Sequence, residues 1–553
     1  MVCRRWLVLG VVQCLTAPLL SCTLMVHENN QREELSAEAR AVQLDRALAN
    51  IDALAAFGDR SPGKNQELAA TLVTMLEDAG LSDVHIEDFS IPTFAPLSSV
   101  ASITEGAEER ALPHEVSSFA GSGDLDASIF DAGNGRAVHP EAEGQIFLID
   151  ALQTASIRVQ YDNAVASNAA GIFFNSNVDG GYLRQRHVWR FERKGAITGP
   201  IPAVAISKED ATAIRQRLTA GETVTGHLAV ESEVGRGTGY NVIGRIPGTE
   251  YPDQRIVINA HMDSWFQGIV DDIQSIGALL EIADVFARHP PKYTVEIVAF
   301  DVEETALLGS ADYLRRRSPD AGAGIAAAMT LEMLAPEAPE LTIVSSDPLL
   351  RDEPNAPWET VIRDSRSGSL FETQLGASDF MTAFNGEIPL DQKNFWERGI
   401  PGFFLVTTYS PFHTSADVLE RTDNDRLDAV MRALVDAVRL LQDFPPDDLR
   451  RPPASTIRIK PTAPLAPLEG EPLVGEVELQ SSMGEPLDGI TLVATIYDEP
   501  GTTLLDEAVV TPLGAGRYQF EFAPLATTGR HVINVSGVGG MRSGRDWFRV
   551  EIP

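Results

Sequence analysis

No cysteine occurs after position 22. The chain's three, Cys3, Cys14 and Cys22, all fall in the first 22 of its 553 residues. The body therefore has no disulfide, no thiolate metal site and no cysteine nucleophile. Positive charge is also scarce: Lys and Arg total 44 against 79 Asp and Glu, a formal net charge of −35. That balance argues against nucleic acid or an anionic membrane as a charge-driven partner. At 44% hydrophobic residues the composition is that of a soluble globular protein, and 553 residues exceed one ordinary core, so two to four domains are expected.

The N-terminus reads as an export signal. Arg4 and Arg5 precede the apolar run "WLVLGVVQCLTAPLL", which is short for a membrane span. "LLSC" (19–22) resembles a bacterial lipoprotein box, which makes Cys22 the lipidated first mature residue and places the protein at a bacterial membrane, in the periplasm or outside the cell. Helical patterning follows in "ELSAEARAVQLDRALANIDALAAF" and "NQELAATLVTMLEDAG", the second stopped by Gly80. Residues 92–236 change rhythm, with short strands "GQIFLID", "AAGIFFNS" and "IPAVAIS" and a helix at "KEDATAIRQRLTAG". From "NVIGRIPG" onward strand, loop and helix alternate. "RIVINAH", "TVEIVAF" and "AAAMTLEML" are apolar without alternation, as strands buried on both faces are, and predict a doubly wound α/β domain. A Pro-rich linker at 446–469 leads to short strands over 470–553 that predict an immunoglobulin-like β-sandwich.

Ionisable residues gather where those strands end. His261 follows "RIVINA", Asp271 and Asp272 precede the helix "IGALLEIADVFARH", and Glu303 and Glu304 close "TVEIVAF". Glu332 closes "MTLEML", and His413 follows "GFFLVTT". Each alone has an ordinary explanation, an Asp pair before a helix being normally a cap. Together they fall at one end of one sheet, where ligands of open α/β domains sit. Imidazole and carboxylate are the donors expected of zinc without cysteine, and a bridging carboxylate can hold two ions.

These motifs resemble the M28 family of co-catalytic zinc peptidases, over residues 37–91 and 237–445, with 92–236 resembling a protease-associated domain inserted between. The resemblance implies two zinc ions. It makes His261 and Glu332 ligands of the first ion, Glu304 and His413 ligands of the second, and Asp271 the bridge. It makes Glu303 the general base, and gives Asp263 the task of hydrogen-bonding His261 to fix its tautomer. It implies an exported exopeptidase acting on peptides or dipeptides, foremost an aminopeptidase. A glutamate-carboxypeptidase-like or dipeptidase activity, a glutaminyl cyclase and a non-catalytic receptor are the alternatives. The ten-residue step from His261 to Asp271 and the "DSW" triplet look most like the glutamate carboxypeptidase branch. Several positions depart from the family. Glu332 stands where most members have Asp, and Ser275–Ile276 replaces Ser-Gly. Phe412 replaces a Tyr beside His413, and Gln392 replaces the His of a Ser-Asp-His loop. Tyr409 is the nearest tyrosine to that vacated oxyanion position.

Overall fold

The computed structural model describes residues 35–105, 108–151, 157–188, 198–317, 324–337, 341–345, 373–376, 390–407, 409–450, 456–462, 465, 471–498, 504–540 and 542–553. The N-terminal segment, with the lipidation expected at Cys22, lies outside them. Among the described residues no helix is long and apolar enough to cross a membrane.

The sheet that carries the candidate site runs in the order Thr373–Gly376, Leu341–Ser345, Gly402–Thr407, Ile325–Leu331, Tyr251–His261, Tyr293–Phe300, Thr225–Ile246. Gly402–Thr407, Ile325–Leu331, Tyr251–His261 and Tyr293–Phe300 are mutually parallel, flanked by antiparallel neighbours on both sides. Both faces are covered, which is why these sequences show no alternation. Ile256, Ile258 and Ala260 face helices Leu44–Ala55, Gln274–Arg288 and Asn424–Leu441, while Val257 and Val298 face Tyr313, Leu314 and Phe395 on helices Leu308–Arg316 and Gln392–Glu397. Where Ser275–Ile276 departs from Ser-Gly, the next residue supplies the close approach. A Cβ on Gly277 would stand 2.3 Å from Ile51 Cγ1, so helix Gln274–Arg288 meets helix Leu44–Ala55 there, and Ile276 is buried in the core. The helical patterning of the first amphipathic stretch forms two helices, Ala37–Arg40 and Leu44–Ala55, divided at residues 41–43.

One buried ion cluster ties the strands together. Glu296 lies directly opposite Arg245 in the antiparallel pair and is fully buried. Its carboxylate accepts from Arg245 Nε at 2.6 Å, from Arg255 Nη1 at 3.3 Å and from Tyr313 Oη. Against the penalty of burial, these arginines, Arg317 and the tyrosine hold its pKa below the usual carboxylate value. The stabilisation is therefore present at neutral pH and is lost as the pH falls through that lowered pKa. Glu296→Gln is expected to cost about 3 kcal/mol by leaving guanidinium groups partly buried without their counter-charge. Denaturant unfolding followed at pH 7 measures it, and a midpoint equal to wild type would contradict the assignment.

The insert leaves and returns through a two-stranded ribbon. Strands Ser82–Glu105 and Thr225–Ile246 pair antiparallel over almost their whole length. The expected boundaries at 91/92 and 236/237 lie opposite one another within it, Ile91 beside Gly237 and Pro92 beside Arg236, so the two units share strands instead of being joined by loops. Strands Ile146–Asp150, Gly171–Asn175 and Ala203–Ile206 of the insert are parallel. Helix Ile157–Ala166 covers one face through Tyr161, and helix Lys208–Thr219 covers the other through Ile214. Ser207 caps the second helix by accepting from Asp210 N at 3.0 Å.

The stretch read as a linker opens on a helical turn, Pro446–Leu449, whose Leu449 is buried in the core beneath the sheet. Beyond it, two four-stranded sheets pack Val477 and Phe520 against Ile496 and Ile533, a β-sandwich. It docks on helix Gln392–Glu397, with Thr456 Oγ1 donating to Trp396 O at 3.1 Å and Arg545 Nε 3.3 Å from Glu397.

Candidate metal centre

The parallel strands Tyr251–His261, Ile325–Leu331 and Gly402–Thr407, with Tyr293–Phe300, end at one edge, and the loops that follow converge there. His261 is the last residue of its strand, and Glu332 follows the last residue of its own. Glu303 and Glu304 do not lie on a strand as expected. The strand stops at Phe300, and the chain turns at Val302, a β-branched residue at φ 63°, before the pair is reached. Ala306 and Leu307 are also left-handed, and helix Leu308–Arg316 begins only then. The pair thus occupies a tight turn, freeing both side chains from the strand's strict alternation.

The turn is held by Asp263. Its carboxylate accepts from Glu303 N at 3.0 Å and from Glu304 N at 3.1 Å. This corrects the role expected of Asp263. The hydrogen bond that fixes the His261 ring runs from Nδ1 to the backbone carbonyl of Asp263 at 2.9 Å, with the Asp263 carboxylate farther away at 3.5 Å. Both arrangements leave Nε2 as the outward atom, but the carboxylate is spent on the glutamate turn.

His261 Nε2 lies 3.2 Å from Asp271 Oδ1 and 3.4 Å from Glu332 Oε1. His413 Nε2 lies 3.2 Å from Asp271 Oδ2 and 2.8 Å from Glu304 Oε2. Two trios result, His261–Asp271–Glu332 and Asp271–Glu304–His413, which share Asp271 through its two oxygens. Asp271 and Asp272 do not cap the following helix. No side chain caps Gln274–Arg288 at its start, and Asp272 Oδ1 instead accepts from Met333 N at 3.0 Å.

Whether these residues fit metal ions can be tested on their own geometry. Donors about 2.0–2.2 Å from a tetrahedral ion stand about 3.4 Å apart. The histidine–carboxylate separations in the trios are 2.8–3.4 Å, and all ligand atoms of a trio lie within 4.8 Å of one another. Glu304 Oε1, Glu332 Oε2, Asp272 Oδ2 and His413 Nδ1 are buried without a hydrogen-bond partner. Burial pushes Glu303 well above its usual range, Glu304 upward and Glu332 to about 7. Against the penalty of burial, Glu304 and Asp271 raise His413 to about 9, and hydrogen bonds from both histidines hold Asp271 down. Such a crowd of buried carboxylates is what a divalent cation stabilises. Three protein donors per ion also leave a position open, the pattern of a catalytic zinc site and not a structural one. The donor set fits.

Residues 241–438 match peptidase family M28. The chain carries an M28 peptidase domain. Aminopeptidase YwaD of Bacillus subtilis (strain 168) is 27% identical over 454 residues, 77% of this chain and 91% of that protein. Carboxypeptidase Q of Bos taurus is 26% identical over 273 residues, and the chain spans only 57% of its length. Among solved structures, BSAP, a zinc aminopeptidase from Bacillus subtilis, superposes with a TM-score of 0.57 at 21% identity, covering 73% of this chain and 95% of that one. A peptidase M28 precursor from Shewanella amazonensis SB2B gives 0.61 at 20% identity, covering 73% and 95%. These structures share the fold.

The M28 domain of this chain adds supports that the sequence pattern did not single out. Asp417, the last letter of "HTSAD", accepts from Val270 N at 2.9 Å and Asp271 N at 3.1 Å, doing for the bridging residue what Asp263 does for the glutamates. Arg60, in a stretch read as plain turn chemistry, is 1% exposed and donates to Met262 O at 3.1 Å and Gly268 O at 2.9 Å, tying the loop after His261 to the loop before Asp271. Tyr409 points its hydroxyl at Asp417 Oδ1, 3.4 Å away, behind the bridging residue, so it is not a free donor for an oxyanion. Gln392 faces the sheet interior and not the trios. With its amide oriented so that Oε1 accepts from Trp396 Nε1 at 3.1 Å, its nitrogen donates to Phe403 O at 3.2 Å.

Proposed function

We propose that the chain is a zinc-dependent exopeptidase, with aminopeptidase action as its main activity and two zinc ions held by the two trios. The observation that carries this reading is the sharing of Asp271: one carboxylate that completes two three-donor sets, one through each oxygen, is built for a pair of ions. The relatedness to aminopeptidase YwaD over 91% of that protein's length supports the choice of substrate end. The inserted unit takes the part of a protease-associated domain, and Cys22 that of a lipid-modified residue in an exported chain.

Bound zinc supplies a polarised substrate carbonyl and an acidified water. The chain's own residues do the rest. His261 and Glu332 would hold one ion and Glu304 and His413 the other, with Asp271 common to both sets. Glu303, outside both trios and the most exposed of these acids at 8%, accepts the proton of the attacking water and returns it to the leaving amine. Asp263 keeps Glu303 and Glu304 aimed in their separate directions through their backbone N–H groups.

A panel of aminoacyl amides and dipeptides, free and N-blocked, tests the reading alongside metal analysis. Free-amine substrates are expected to be cleaved, with chelation abolishing turnover and zinc restoring it. Equal cleavage of blocked substrates would overturn the aminopeptidase assignment, and turnover that survives complete zinc removal would overturn the metallopeptidase one.

A further inference from the structure

The segment Arg184–Arg186 of the insert reaches across to the His413 loop. Arg184 forms a backbone bridge with Thr414, and Gln185 N donates to His413 O at 2.9 Å. Arg184 Nη2 donates to Ser410 O, and its guanidinium carbon stacks 4.3 Å from the centre of the Phe412 ring. Arg186 approaches the same ring at 5.5 Å. Two cations are thereby fixed beside a candidate zinc ligand, in a chain with a large acidic excess.

Their hydrogen-bonding capacity is not spent. Arg184 is 2% exposed, yet its Nε and Nη1 have no partner; Nε and Nη2 of Arg186 are buried and likewise unpartnered. Leaving guanidinium donors dry without an acceptor is costly. The anions whose fields reach them are Asp271 for Arg184 and Glu304 for Arg186. Both are donors of the second trio, so with that trio loaded their charge is engaged by the ion. The two arginines then face a cation and require an anion from elsewhere. A guanidinium offers parallel N–H groups whose spacing matches the two oxygens of a carboxylate.

Resting on the exopeptidase reading, we propose that Arg184 and Arg186 form a carboxylate-binding subsite beside the Asp271–Glu304–His413 trio, so that the preferred substrates carry a carboxylate close to the scissile bond. That carboxylate is either the free C-terminus of a dipeptide or an acidic side chain. Phe412 is the aromatic plate on which Arg184 stacks and which Arg186 approaches.

The test compares two substrate pairs by kcat/KM: a dipeptide against its C-terminal amide, and a glutamyl amide against the glutaminyl amide. A charge-assisted hydrogen bond predicts a preference of about tenfold to a hundredfold for the carboxylate member. The pair that shows it identifies the source. In Arg186→Gln the carboxylate member should lose about that factor more than its neutral partner. Arg186→Lys should restore part of it, and zinc content should stay at the wild-type value. Succinate binding, followed by calorimetry in wild type and Arg186→Gln, reads the subsite without turnover. No preference in either pair and no succinate binding would overturn the subsite while leaving an exopeptidase active on neutral substrates intact. Arg186-dependent succinate binding by a protein that cleaves no peptide would keep the subsite and overturn the exopeptidase reading.

Discussion

Asp271→Ala is expected to purify without zinc at either position and without peptidase activity. The reason is that one side chain serves both trios: Oδ1 lies 3.2 Å from His261 Nε2 and Oδ2 lies 3.2 Å from His413 Nε2. Replacing it reduces each set from three donors to two. Removing even an outer-shell partner of a ligand typically costs about 10–100-fold in metal affinity, so loss of a direct ligand should exceed about a hundredfold at each ion. Polarisation by the metal is worth several kcal/mol, so the loss of turnover should reach about a thousandfold or more. Asp272→Asn is the comparison that makes the result specific. Asp272 is adjacent and equally buried, but its Oδ1 holds Met333 N and it belongs to neither trio. It should retain more zinc than Asp271→Ala. Elemental analysis of both proteins, with circular dichroism to show that each is folded, decides the matter. Two zinc ions retained by folded Asp271→Ala would remove the bridging role.

The ligands were legible because chemistry and topology coincide in the chain. His261, Glu332 and His413 each follow an apolar run, and apolar runs buried on both faces are the easiest strands to read. The doubly wound layer was readable for the same reason, whereas the strands of the terminal sandwich, which alternate buried and exposed residues, were read from their short length and their Gly- and Pro-bearing turns. What escaped depends on contacts distant in sequence. Asp263 and Asp417 act on backbone N–H groups 40 and 147 residues away, a use that a carboxylate's position does not announce. Arg184 and Arg186 belong by sequence to the insert and by contact to the His413 loop. The turn at Val302 was hidden because a β-branched residue rarely adopts positive φ. "VAFDVEE" therefore reads as strand up to the glutamates, although the strand stops at Phe300.

Glu303→Gln separates chemistry from metal binding. The variant is expected to hold as much zinc as the wild type, with a similar KM, and to lose about 10²–10⁴-fold in kcat, the usual contribution of a positioned general base. Glu304→Gln, one residue away, should instead lower zinc content. The contrast follows from the turn. Asp263 receives both backbone N–H groups, so neither substitution disturbs the loop that presents them, and the two side chains leave it for different tasks. Glu304 Oε2 stands 2.8 Å from His413 Nε2 inside a donor trio, whereas Glu303 stands outside both. An amide in place of Glu303 keeps the volume and a hydrogen-bonding oxygen but cannot carry a proton from the attacking water to the leaving amine. Turnover at constant zinc occupancy is the measurement. Near-wild-type kcat in Glu303→Gln would move the base to another residue, and Asp391 is then the one to examine. It is buried beside Ser310, with burial raising its pKa to about 7, and its charge reaches Glu303.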